Sequence, residues 1–468
     1  VIDLYIDIRG CILEEVRLEW TGFRGFKKRT KFSLSGITIL IGRNNVGKSS
    51  TYAPLLLLKQ TLGAKDPQTA LLGRGPLVDL GPFSDYVTDH NPDGIIDFKI
   101  SMDAPLPYPR RRPSQPLSIE NCFAADDSGN PYLRRQRLFA PNGDVLVSRS
   151  RKGAASPFNV TSTLLPSQAA AGRPYREITA VRKSLREEQP ENFLFSGHGG
   201  LMLPRSVREN EARWAAVREW YNAAYRLYET QTDANFALSV FLHGISYLGP
   251  LRSLPLRTYR MSAEPPSEVG VAGESAPELL FRERGLESKD EVDSWLNRLG
   301  YGRLEFEAIG SEYFQAKLHT PSGLKVNLAD TGVGLSQVIP LLTQGVVAPA
   351  GATIISQQPE IHLNPAQQSI LADFLINRSK SGVRTVVETH SEHLLMRVRR
   401  RIAEGELSAE DVNVYFVESK DGQTSLRKIV VGEYGEVDRN EWPNGFFEDQ
   451  LQEAFSLAAA QAIKGGMQ

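Results

Sequence analysis

Eight consecutive residues constrain this chain more than any others: Gly42-Arg43-Asn44-Asn45-Val46-Gly47-Lys48-Ser49, a complete G-x-x-x-x-G-K-S phosphate loop. The apolar run at 37–41 leads into it, and Ser50, Thr51 and a leucine run at 55–58 follow. Strand, glycine turn and helix start are the context that separates a nucleotide site from a chance match. The glycines let backbone N–H groups curl around an anion, and the helix N-terminus adds partial positive charge. Lys48 can then reach the β- and γ-phosphates, with Ser49 on Mg²⁺. The motif predicts an α/β core that holds a nucleoside triphosphate.

The rest of the composition sets bounds. With 468 residues the chain can bury a large core in two or three lobes. A formal charge of −1 gives no global push toward nucleic acid or acidic lipid, so any such affinity must be local. Two cysteines, Cys11 and Cys122, are too few and too far apart for a disulfide framework or zinc knuckle, which fits a reduced, cytoplasmic compartment. No apolar run approaches a membrane span, and the first residues lack a signal pattern.

Upstream of the loop, Val16, Leu18 and Trp20 alternate, Phe23-Arg24-Gly25-Phe26 interrupts, and Phe32, Leu34, Ile37 and Ile39 resume the strand period. An Arg or aromatic residue here can stack on a base, so Phe23, Arg24 and Phe26 are candidates, with packing as the competing role. A strand follows at 95–102. Residues 104–186 then carry 14 basic residues against 5 acidic ones, including Arg110-Arg111-Arg112, Arg134-Arg135, Arg137, Arg149 and Arg151-Lys152. Such a stretch in a neutral chain is the footprint of phosphate-backbone contact. A solvated insertion or a surface for an acidic partner would look the same, and little aromatic interleaving offers itself to bases. Trp214, Val217, Trp220, Tyr221, Ala224, Tyr225 and Leu227 fall at helical spacing and read as core. Helix signals recur at 292–299, with strands at 304–309 and 313–318. No long heptad array, internal repeat or C-x-x-C is present.

Asp330-Thr331-Gly332-Val333-Gly334-Leu335-Ser336-Gln337 opens a second apolar helix with small residues, another N-terminus able to meet a phosphate. A buried-strand run at 352–355 ends in Ser356-Gln357-Gln358-Pro359-Glu360-Ile361-His362-Leu363-Asn364-Pro365. A further strand at 383–387 ends in Glu388-Thr389-His390-Ser391-Glu392-His393.

In this order the motifs resemble the ABC-type ATPase heads of the SMC/RecF/OLD group, in particular the short, arm-less bacterial ATPases of antiphage defence modules such as Septu and PARIS. The resemblance covers 13–102 and about 245–468, including Tyr247-Leu248-Gly249-Pro250-Leu251-Arg252 and Trp442-Pro443-Asn444-Gly445-Phe446-Phe447. It implies an α/β ABC-type head, a mixed sheet around a P-loop core, with an inserted α+β, Arg-rich region. The division is an N-terminal lobe at 1–103, the insertion at 104–244 and a C-terminal lobe at 245–468. It implies ATP and Mg²⁺ as ligands. Gly42, Asn44, Asn45, Gly47, Lys48, Ser49 and Ser50, with Arg24, would hold the nucleotide. Thr331, Gly332, Gly334 and Ser336 would stand in the signature that reaches across a head-to-tail dimer to the γ-phosphate of the other copy. Gln357 and Gln358 fall at the Walker B acid and catalytic glutamate, Asn364-Pro365 at the D-loop and His390 at the switch histidine. Ser49 and Gln357 would face the metal.

The amide at Gln357 departs from the group, where a glutamate is common. An amide can neither balance Mg²⁺ nor accept a proton, so the expectation is ATP binding with hydrolysis slow or absent. Either an engineered trapping exchange or a naturally degenerate site accounts for it. Glu360, beyond Pro359, is expected to point elsewhere. After His390 the spaced carboxylates of an appended TOPRIM nuclease are missing. The resemblance thus implies a scaffold that associates with itself on ATP and regulates a separate HNH or TOPRIM nuclease. The alternative is a DNA-engaging clamp of the RecF/SMC repair type with 104–186 on the duplex.

Overall fold

The computed structural model describes residues 16–104, 115–166, 176–187, 189–195, 209–283 and 285–438. Arg110 to Arg112, Arg173, Cys11 and the Trp442-to-Phe447 motif lie outside them.

Strands β1 (Val16–Thr21) and β2 (Thr30–Leu34) alternate, with Val16, Leu18, Trp20, Phe32 and Leu34 buried on one face. Strand β3 (Ile37–Ile41) is buried at every position, the pattern of a parallel strand covered on both sides. Helix α1 (Lys48–Leu62) follows the phosphate loop; its leucines at 55–58 are all buried, as expected of a helix sandwiched between layers.

Four strands, β5 (Gln115–Ala125), β6 (Pro131–Phe139), β7 (Val145–Ser150) and β8 (Asn159–Ser162), continue from β4 (Ile96–Ala104) in a seven-stranded sheet of order β2-β1-β4-β5-β6-β7-β8. The Arg-rich stretch therefore shares one antiparallel sheet with the N-terminal strands. Helix α2 (Arg176–Glu187) packs on α3 (Glu211–His243), where Val217, Trp220, Ala224 and Leu227 are buried.

Beyond α3, β9 (Ile245–Leu248) enters the second large sheet. A small sheet of β10 (Tyr259–Arg260), β11 (Arg303–Ile309), β12 (Tyr313–His319) and β13 (Lys325–Asn327) is flanked by α4 (Ala276–Arg282) and α5 (Glu287–Arg298). Then come α6 (Val333–Val347), β14 (Thr353–Gln357), α7 (Pro365–Lys380), β15 (Arg384–Glu388), α8 (Glu392–Ala403), β16 (Val412–Lys420) and β17 (Gln423–Ile429). The central sheet runs β17-β16-β3-β15-β14-β9, parallel except for β17.

The two faces of this sheet feed two cores. Leu40, Ile355, Val386 and Val417 pack with α1 and the antiparallel sheet. Ile37, Ile39, Ile41, Ile354 and Val387 pack against apolar residues of α6, α7 and α8. Because β3, β15 and β14 are parallel and adjacent, their C-terminal ends open on one edge, the place where α/β sheets bind ligands. The fold is the mixed α/β class that the motifs implied. No helix among the described residues is long and apolar enough to cross a membrane.

Tertiary packing divides the basic stretch. Arg135 pairs with Asp97 and Glu120 of neighbouring strands at 2.9 and 3.0 Å. Arg149 is buried over the rings of Phe158 and Phe195, and Arg151 lies over Tyr132 and Phe158 and donates to the Leu133 and Ala154 carbonyls. Arg182 covers the Trp220 ring. These side chains are tied into the sheet and its covering helices, so only part of the basic stretch is left to meet a phosphate backbone or an acidic partner.

Candidate functional site

The loop after β3 is built by backbone geometry that side chains would obstruct. Gly42 has φ +150°, and a Cβ there would meet the Val417 carbonyl oxygen at 2.4 Å; Gly47 has φ +98°. Asn45, at φ 62°, is the non-glycine residue in the same turn, a conformation Asn tolerates well. Lys48 is buried at the first position of α1, and its ammonium donates to the carbonyls of Gly42 and Arg43 at 3.0 and 2.7 Å. A buried ammonium held only by loop carbonyls is well suited to a phosphate. Burial lowers its pKa, opposed by the carboxylates of Glu388 and Glu360.

Ser49 is the centre of a directed hydrogen-bond chain. The Tyr247 hydroxyl donates to the Gln357 side-chain oxygen at 3.1 Å, the Gln357 amide donates to Ser49 Oγ at 3.0 Å, and Ser49 Oγ donates to Glu388 Oε2 at 2.9 Å. Tyr52, one turn into α1, donates to the same Glu388 oxygen at 2.8 Å. Burial and then the Glu388 charge push the Tyr52 hydroxyl well above its ordinary pKa, so it stays a donor.

Register explains the meeting. Gln357 of β14 pairs with Glu388 of β15, and Glu388 pairs with Leu40 of β3, so all three strand ends come out level beneath the loop. The sequence reading placed the amide of Gln357 at the acid's position and missed Glu388. The carboxylate beside the phosphate-loop serine is supplied by the intervening strand. The signal that could have found it is a carboxylate at the C-terminal end of a fully buried strand. Gln358 adopts φ 45° and donates its backbone N–H to the Glu388 carbonyl at 2.7 Å.

Glu360 is also corrected. The chain turns back after Pro359, leaving Glu360 only 8% exposed, with a carboxylate oxygen accepting from the His390 backbone N–H at 2.8 Å. Among the described residues, its Oε2 and His390 Nε2 are buried without a hydrogen-bond partner. Burial raises the Glu360 pKa, whereas burial and then the Lys48 charge hold His390 below 6.5. Among the described residues no three His, Cys, Asp or Glu side chains gather into a metal site. That is compatible with Mg²⁺, which is commonly held by one or two protein oxygens together with substrate phosphates and water.

Around this centre, Arg252 braces the strand ends. It donates to the Gly249 carbonyl, to Ser356 Oγ at 3.1 Å and to the Gln357 carbonyl at 3.3 Å, and burial lowers its pKa to about 10. Arg24, at φ 48°, reaches Ser50 Oγ at 3.1 Å, so it stands over the start of α1. Phe23 and Phe26 are wholly buried against Tyr86, Phe98 and Trp20, which removes them as base-stacking candidates. Asn364 caps α7 through a reciprocal capping box with Gln367.

The 330–337 segment lies apart from this network. Asp330 pairs with Arg257 at 2.5 Å, Ser336 Oγ donates to the Val333 carbonyl at 2.7 Å, and Gly334 sits close to the His362 carbonyl and Tyr301 hydroxyl. Gly332 begins α6 with nothing within 4 Å of where a Cβ would be, and Val333 is 44% exposed. Among the described residues no hydrogen bond or ion pair links Thr331, Gly332, Gly334 or Ser336 to the phosphate loop.

A family profile described as "Protein of unknown function (DUF3696)" matches residues 407–457. No curated protein matches the chain. Among solved structures, the chain is similar to an SMC head domain from Thermotoga maritima at 11% identity, covering 90% of this chain and 99% of that one, with a TM-score of 0.38. An SMC head bound to the C-terminal winged-helix domain of ScpA aligns at 12% identity over 90% and 99%, with a TM-score of 0.42. An SMC head with an extended coiled coil, bound to the C-terminal domain of ScpA derived from Pyrococcus furiosus, aligns at 13% over 89% and 96%, with a TM-score of 0.39. Likeness at this level carries nothing about this chain's chemistry, which rests on the geometry above.

Proposed function

We propose that this chain is an ATP-binding, ABC-type head that uses Mg²⁺-ATP to associate with a second copy of itself. The observation that carries this reading is the phosphate-loop serine held between the Gln357 amide and the Glu388 carboxylate, beside a buried lysine. The loop backbone, Lys48 and the N-terminus of α1 would hold the phosphates, with Asn44 and Asn45 in the turn and Ser50 on α1, and Ser49 and Glu388 the metal side; Arg24, bonded to Ser50, would face the nucleotide. Bound Mg²⁺ would neutralise phosphate charge. The orphaned polar atoms of Glu360 and His390 are suited to ordering water or a phosphate oxygen nearby. With amides at Gln357 and Gln358, no carboxylate at that strand tip can take a proton from the attacking water, so turnover is slow.

Association is supported by the open start of α6 and by its surroundings. Between Gly249 and Arg257 the chain shows Leu251, Leu254 and Leu256 to solvent, at 83%, 66% and 57% exposure, and Arg257 connects this apolar knuckle to Asp330. Exposed apolar side chains in one short loop are a mark of an interface. A ligand bound only between two copies would drive them together by mass action. The head then serves as an ATP-gated scaffold in an antiphage module, regulating a partner nuclease of HNH or TOPRIM type. A DNA clamp is the weaker reading, because Arg135, Arg149 and Arg151 are committed to internal contacts.

The test is light scattering of the purified chain with and without ATP, with single-turnover hydrolysis measured beside Gln357→Glu. ATP-dependent doubling of mass and a faster Gln357→Glu variant are expected. Equal, fast hydrolysis in both would remove the slow-turnover element. A monomer at saturating ATP would remove the association element. Salt-sensitive duplex binding would favour the clamp.

A further inference from the structure

We infer that Glu388, at the end of the strand lying between those of the phosphate loop and Gln357, is the carboxylate that organises the divalent cation in this site. The inference deepens the nucleotide-binding reading and rests on it. In P-loop proteins the hydroxyl at the position of Ser49 and a strand-end carboxylate jointly hold Mg²⁺ and its waters. Here the side chain at the expected strand end is an amide, and the carboxylate in contact with that hydroxyl comes from the neighbouring strand.

The direction of the hydrogen bonds makes the assignment specific. Tyr247 donates to Gln357, Gln357 donates to Ser49, and both Ser49 and Tyr52 donate to Glu388. A serine hydroxyl has one proton and an ionised carboxylate only accepts. The network is thus satisfied when Glu388 is the charged end and Gln357 a neutral relay. Glu388 is 4% exposed, and its carboxylate acts electrostatically on the Lys48 ammonium. A buried carboxylate that accepts from two hydroxyls and, among the described residues, forms no ion pair is well placed to balance a metal.

Placing a glutamate at 357 changes this balance. Two acceptors would then flank Ser49, whose single proton can serve one of them. Charge would accumulate between β14 and β15 unless a cation or proton bridged them. The Gln357 amide and the Glu388 carboxylate therefore read as a matched pair. With an amide at Gln357, Glu388 is the carboxylate left in contact with Ser49.

The experiment uses the full chain and Mn²⁺ as the probe. Nucleotide binding is measured first with a fluorescent ATP analogue in EDTA, and Mn²⁺ affinity of the nucleotide-bound protein is then followed by electron paramagnetic resonance. Glu388→Gln is expected to weaken Mn²⁺ at least about tenfold while metal-free nucleotide affinity changes less than about threefold. Glu388→Asp, which keeps the charge but shortens the arm, is expected to bind Mn²⁺ with an altered spectrum and keeps the test open should the amide variant fail to fold. In a companion measurement Gln357→Glu is expected to gain more thermal stability from Mg²⁺ than the parent does. Unchanged Mn²⁺ affinity and spectrum in both Glu388 variants, with nucleotide binding intact, would overturn the assignment and leave Glu388 as an anchor for Tyr52. Failure of the parent to bind nucleotide at all would overturn the reading beneath it, and the inference with it.

Discussion

The phosphate loop and the 330–337 segment both present the N-terminus of a buried helix, yet the chain treats them in opposite ways. At α1 the polar groups are enclosed: Lys48 and Ser49 are tied to loop carbonyls, to Gln357 and to Glu388, and the loop glycines lie against Val417 and Thr424. At α6 the first residues face outward, with open space over Gly332 and an exposed Val333 beside a solvent-facing leucine loop. Among the described residues, one helix start is enclosed by its own chain and the other is open to solvent. The proposed site assembled from two copies needs that asymmetry, because the half that grips the ligand must be preorganised and the half that reads it must be accessible.

The comparison breaks most visibly at Lys48. Lys48→Ala removes the charge-assisted contact at the enclosed end and should weaken ATP binding by roughly 100-fold, read by calorimetry. Retained binding would show that the enclosed end is not the gripping half. At the open end, Gly332→Asp fits without steric conflict in the isolated chain. It should leave thermal stability and ATP affinity near the parent's while reducing ATP-dependent association at least about tenfold, because it sets a negative charge where a partner's phosphate would sit. Association unchanged by Gly332→Asp would sink the role of that segment.

A smaller effect separates packed from free basic residues. Arg149→Ala should cost about 2–3 kcal/mol in denaturant unfolding through lost packing on Phe158 and Phe195, and exposed Arg134→Ala within about 0.5 kcal/mol. Equal, small effects would restore the view of this stretch as a solvated basic surface.

The smallest expected effect is on pH dependence. Burial and Lys48 hold the His390 pKa below 6.5, so its contribution to stability is present above the unfolded value and is lost as pH falls through the folded one. Glu360, raised above 4.5 by burial, acts in the opposite sense: its contribution is present at low pH and is lost as pH rises through its folded pKa. The parent should therefore lose more stability below pH 6.5 than His390→Gln does, the Glu360 contribution cancelling in the difference. Parallel stability curves would remove His390 from the enclosed network.

The phosphate-loop motif was legible because it is local. From 42 to 49 the residues that curve the backbone and place Lys48 and Ser49 are contiguous, so order along the chain is also order in space. The place of His390 just after a short strand end could likewise be read from a local run. The helix at 211–243 declared its buried face through spacing alone. Phe23 and Phe26 were ambiguous because an aromatic ring before the loop has the same local pattern whether it packs inward or meets a base; only the surrounding sheet, with Trp20, Tyr86 and Phe98, filled in the answer.

Sequence by itself determined a phosphate-loop motif, a core strand before it and an amide in place of an expected acid. Tertiary structure decided where the nearest acid is. Ser49 and Glu388 are 339 positions apart, and they meet because β3 and β15 pair in parallel with Glu388 level with Leu40. A strand's side chains alternate faces with a period of two, so a shift of one residue in that register would turn Glu388 away from the loop. In β6 a register irregularity opposite Cys122 and Phe123 leaves Arg134 without a β5 partner and exposed, while the adjacent Arg135 reaches Asp97 and Glu120. Composition counts charges, but register and packing decide which of them reach solvent and which face the ligand.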